Sequence, residues 1–68
     1  MADYDLLRER LDGLAEELAD AALDALRAAL HEGQTGRPHV ERKLTQARRA
    51  VEKASGLLRR IAETSAEE

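Results

Sequence analysis

A chain of 68 residues with no Cys, Phe or Trp, a single Tyr and a net charge of −3 has room for one domain and little with which to staple it. The missing cysteines exclude disulfides and thiolate metal sites, and they fit the cytoplasm as the expected compartment. No apolar run approaches the ~18 residues of a membrane span, Ala2, Asp3, Tyr4 and Asp5 do not read as a basic hydrophobic leader, and the acidic balance argues against nucleic acid as the main partner.

Helix 1 is expected from about Tyr4 to about Glu32. Asp3 or Asp5 can cap it, because a carboxylate accepts from the first backbone N–H groups and meets the positive end of the helix dipole. Leu7, Leu11, Leu14, Leu18, Ala22, Ala25 and Ala29 recur at steps of three and four, which makes them the expected inward face. Ala19, Leu23, Leu26 and Leu30 form a second stripe beside it that one neighbouring helix cannot also cover.

Gly33 stands where a helix C-terminus favours left-handed backbone, so residues 33–37 read as a short polar loop. Pro38 suits the first position of helix 2, which is expected to run to about Glu63. Its apolar and small residues Val40, Leu44, Ala47, Val51, Ala54, Leu58, Ile61 and Ser65 alternate steps of four and three, the seam of a helix that lies against another helix. Residues 64–68 read as a frayed acidic tail, with negative charge at the unfavourable end of the dipole.

A connection of about five residues makes two long helices antiparallel neighbours. Centring the loop on Thr35 sets Leu30 level with Val40, Leu26 with Leu44, Leu18 with Val51, Leu11 with Leu58 and Leu7 with Ile61. Charge agrees with this register: helix 1 carries nine acids against three bases up to Glu32, and residues 37–63 carry eight bases against three acids. The fold class is therefore all-α, an antiparallel two-helix hairpin in a single domain. The stripe of Ala19, Leu23, Leu26 and Leu30 left in water is expected to be the oligomer interface of a homodimer, two hairpins closing into a four-helix bundle.

Little here points to chemistry. His31 and His39 flank the loop beside Glu32 and Glu41, but no zinc spacing is present and no Glu is followed three residues later by His, as di-iron bundles require. The loop lacks the Lys and spacing of a P-loop, and Thr35, Thr45, Ser55, Thr64 and Ser65 are hydroxyls without a pocket-forming sequence around them. No metal, cofactor or small-molecule substrate is expected, and no enzymatic activity.

Two features remain. Arg42, Arg49, Lys53 and Arg60 on one outer flank of helix 2, with Arg48 and Arg59 on the other, could contact phosphates, yet Glu41, Glu52 and Glu63 interrupt them and aromatic stacking residues are lacking. Gly13 and Gly56 sit inside the helices at one level, each costing ~1 kcal/mol relative to Ala. The reading is a small non-catalytic interaction or assembly module that self-associates and takes a protein partner. The alternative is a nucleic-acid-associated regulator working through the basic flank of helix 2.

Overall fold

Asp3 begins the first helix: its side chain accepts from the Leu6 backbone N–H at 3.0 Å, satisfying one of the donors that a helix start leaves unpaired. The computed structural model describes residues 2–67, with side chains described for 2–64, so Met1 and Glu68 lie outside the described residues. Helix α1 spans Tyr4–His31 and helix α2 spans His39–Glu67, packed against each other as an antiparallel hairpin. No strand occurs among the described residues, and no helix is long and apolar enough to cross a membrane.

The turn between the helices is a Schellman-type termination. Gly33 takes φ +84°, its N–H donates to the Leu30 carbonyl at 3.0 Å, and the Gln34 N–H donates to Ala29 at 3.0 Å. A second left-handed residue, Gly36 at φ +84°, turns the chain toward α2. Pro38 sits just ahead of α2, its carbonyl accepting from the Arg42 N–H at 3.2 Å.

The far end of α2 departs from expectation. The helix continues to Glu67 where a frayed tail from 64 was expected. Residues 64–67 contain no Gly or Pro to stop it, and Ala66 and Glu67 are good helix formers, so the unfavourable dipole is not enough to end it.

The seam between the helices is the larger correction. Among the described residues the buried apolar ones are Ala15, Ala22 and Ala29, spaced by seven, and no side chain is completely buried. On α2 the equivalent row is Glu41, Arg48, Ser55 and Ala62, of which Glu41 and Ser55 are buried and the other two half-buried. Leu11 and Leu18 border the α1 row and Leu44, Val51 and Leu58 the α2 row, all half-buried. The larger residues expected inside are not there: Leu7 and Leu14 are exposed, as are Ile61 and, at 59%, Val40. Both helices are rotated from the expected seam, α1 by roughly half a residue, since Ala22 and Ala29 are buried as expected, and α2 by nearly a whole one (~100° per residue), so that Ala15 replaces Leu14 in the seam and Ser55 replaces Ala54. Around Ala15, Ala22, Ala29 and Ser55 no large group separates the helices, which lets the backbones approach and gain dispersion contacts there.

Candidate interaction surfaces

Leu7, Leu14, Ala21 and Ala28 each precede a position of the α1 seam row, and Val40, Ala47, Ala54 and Ile61 each precede a position of the α2 row. One residue is ~100° of helix turn, and because the helices are antiparallel the same rotation carries both rows to one side of the hairpin. Leu11, Leu18 and Ala25 on α1, with Leu44, Val51 and Leu58 on α2, fill the space between them. No charged residue stands at any of these positions. The result is one broad apolar face running the length of the molecule, extended at the far end by Leu57, which is 49% exposed. There Leu57, Arg60, Ile61 and Thr64 line an open hollow of about 500 Å³.

The opposite side is polar. Asp12, Ala15, Glu16, Ala19, Arg48 and Glu52 line a shallow cleft of about 330 Å³. Here the Ser55 hydroxyl donates to Asp12 Oδ1 at 2.8 Å, the one side-chain hydrogen bond among the described residues that crosses from helix to helix. Arg48 Nε is buried without a hydrogen-bond partner, 3.6 Å from Glu52 Oε1. Arg8 Nε, near the outer end of α1, is buried in the same way. Both side chains are half-buried in the seam rows, where their aliphatic stems cover apolar surface.

The expected interface residues fall on this polar side, toward the loop. Leu23 and Leu30 are exposed, whereas Leu26 and Ala19 are half-buried, and Ala19 belongs to the charged cleft. The sequence marks the stripe correctly as apolar but gives no sign that the hairpin leaves a wider apolar face behind it. That face became recognisable only once the seam row was known, since the signal in the sequence is two adjacent sevenfold rows with nothing to say which one the neighbouring helix takes.

At the loop end, Arg37 grips Glu41 with two hydrogen bonds, Nε to Oε2 at 2.7 Å and Nη2 to Oε1 at 3.1 Å. Thr45 Oγ1 donates to the same Oε1 at 2.8 Å. Glu41 is buried in the seam row, so the fork-shaped pairing supplies what water would otherwise give it. The Arg37 hydrogen bond, aided by the one from Thr45, holds the Glu41 carboxyl below the usual carboxylate range. The contact fastens the last loop residues onto the first turn of α2. His31 and His39 stand exposed at the two helix ends beside it, and no group of three His, Asp or Glu side chains is arranged to hold a metal among the described residues.

Charge is organised differently from the expected pairing of opposed helices. The four ion pairs among the described residues, Arg8–Asp5, Arg37–Glu41, Arg48–Glu52 and Arg59–Glu63, are all between near neighbours in sequence, and none spans the hairpin. Arg42, Arg49, Lys53 and Arg60 are exposed on the outer side of α2 and take part in none of them. Of the two unexplained glycines, Gly13 points away from the seam and Gly56 lies on the polar side, each with open space where a Cβ would be.

Compared with known proteins, the chain matches no family model, no curated protein and no solved structure.

Proposed function

We propose that this chain is a small non-catalytic assembly module: a helical hairpin that self-associates, two copies closing into a four-helix bundle, and that in this form meets a protein partner. One observation carries the reading. The hairpin buries alanines and serine while Leu7, Leu14, Val40, Leu57 and Ile61, the side chains with most to gain from leaving water, stay exposed. A contiguous apolar surface of that extent on so small a chain marks an interaction site. The non-catalytic part rests on the hydroxyls: Thr45 is engaged with Glu41 and Ser55 with Asp12, and neither lines an enclosed cavity.

Light scattering behind a sizing column tests this, with twice the chain mass expected. The thermal midpoint should also rise with protein concentration, because association stabilises by mass action. A single-chain mass together with a concentration-independent midpoint would sink the reading.

A second reading has one observation in its favour, the unpaired stripe of Arg42, Arg49, Lys53 and Arg60. As a phosphate-binding surface it would give duplex binding that weakens steeply with salt and is lost in Arg49→Glu. Against it, Arg48 and Arg59 are each held by a glutamate on their own helix, and the net charge is −3.

A further inference from the structure

Resting on the self-association reading, we infer that the broad apolar face, and not the Leu23–Leu30 stripe, seats a second copy of this chain. In that pair α1 of each hairpin lies on α2 of the other and both loops lie at one end.

Area favours this face. The hairpin is 56 Å long and 15 Å wide, a footprint of roughly 800 Å², which is what one partner contributes to a standard-size interface. The Leu23–Leu30 stripe occupies only the loop half of α1. Across the seam from it α2 presents Arg42, Thr45 and Arg49, so a partner seated there would have to desolvate charge.

Charge identifies the occupant as a second copy. Helix α1 is strongly acidic and α2 strongly basic, and no ion pair among the described residues joins them within one hairpin. The face itself is uncharged, but the two helices that form it carry opposite net charge, and such a pair is complementary to itself under one two-fold rotation, whose axis runs parallel to the helices. That rotation sets α1 over the partner's α2, with every adjacent helix antiparallel, and it keeps the level at which each residue stands. Leu7, Leu11 and Leu14 then meet a second copy of Leu57, Leu58 and Ile61, while Ala21, Ala25 and Ala28 close more tightly near the loops. At the rim Asp24 comes near the level of a second Lys43. The other two-fold arrangement, with the axis across the helices, lays acidic helix on acidic helix and basic on basic, which like-charge repulsion opposes.

The chain lacks cysteine, so Thr35→Cys at the exposed loop gives one spin label per copy without touching either helix. Double electron–electron resonance should place the two labels within about 20 Å, since packed helices lie ~8–10 Å apart. A separation near the 56 Å length of the hairpin, in a protein of dimer mass, would overturn this arrangement and leave self-association standing. Single-chain mass with no dipolar coupling would overturn both, and a tetramer or larger species would overturn the closed pair. The face is tested separately. Leu14→Glu with Ile61→Glu should abolish the dimer while Leu23→Glu with Leu30→Glu leaves it intact, and the reverse result would overturn the choice of face. If the first pair fails to fold, the Leu23→Glu with Leu30→Glu variant still decides the face: a retained dimer supports this choice and a lost dimer overturns it.

Discussion

Gly13→Ala combined with Gly56→Ala should make this protein more stable. Both glycines are inside helices and neither has positive φ, so alanine meets no backbone strain at either. A Cβ built on Gly13 or on Gly56 has nothing within 4 Å, so no side chain has to move. What remains is the intrinsic preference, ~1 kcal/mol per site, arising from the backbone freedom that glycine loses on folding. The two sites share no interaction partner, so their effects should add to about 2 kcal/mol. For a domain of this size 1 kcal/mol moves the thermal midpoint by ~4–8 °C, so the double variant should melt roughly 8–16 °C higher. Circular dichroism at one fixed protein concentration measures this, concentration being held because association contributes to the midpoint. Gly33→Ala, at φ +84°, is the control that should go the other way. An unchanged or lowered midpoint in the double variant would mean that another chain fills the space beside these glycines, and would refute an assembly confined to the apolar face.

Other substitutions probe the seam and the loop clamp. Ala22→Leu forces a large side chain between closely packed backbones and should cost ~1–3 kcal/mol in urea unfolding, a cost that a rotated seam with Ala22 at its edge would not impose. Ser55→Ala removes the cross-helix hydrogen bond to Asp12 and should lower stability by ~0.5–1.5 kcal/mol in the same assay. The Glu41 carboxyl is depressed in the folded chain by Arg37 and Thr45, so the native state binds fewer protons there than the unfolded one. Its contribution is complete above the unfolded carboxylate pKa, ~4.3, and fades as pH falls through the lower folded value. The stability gap between wild type and Glu41→Gln should therefore be widest near neutrality and narrow on acidification, and a gap independent of pH would remove the clamp from the account.

Much of this architecture is written locally. Asp3 before a run of helix formers, Gly33 after His31, and a five-residue connection allow two helices to start, stop and lie antiparallel with few alternatives, because caps and glycine conformations act within one turn of chain. The far end of α2 was less legible: an acidic tail speaks against helix, yet residues 64–67 carry nothing that breaks one. The clamp of Arg37 on Glu41 has a four-residue spacing that sequence alone could have flagged. What hid it was the position of Glu41 in the seam, where a carboxylate was not expected.

By itself, then, the sequence determined that the chain is a helical hairpin and that it carries more apolar stripe than one hairpin can bury. Which stripe is buried was a tertiary decision. Ala22 and Ala29 belong to the expected inward face and are buried, but hydrophobic periodicity weighs Leu7 and Leu14 above Ala15, and Ala54 above Ser55, because it sees one helix at a time. Two helices brought together instead seat the row of Ala15, Ala22 and Ala29 against Ser55, where backbones come closest, and turn the larger side chains outward. With that row in the seam, Leu7, Leu14, Val40 and Ile61 are left exposed, in addition to Leu23 and Leu30, which the sequence alone already leaves in water.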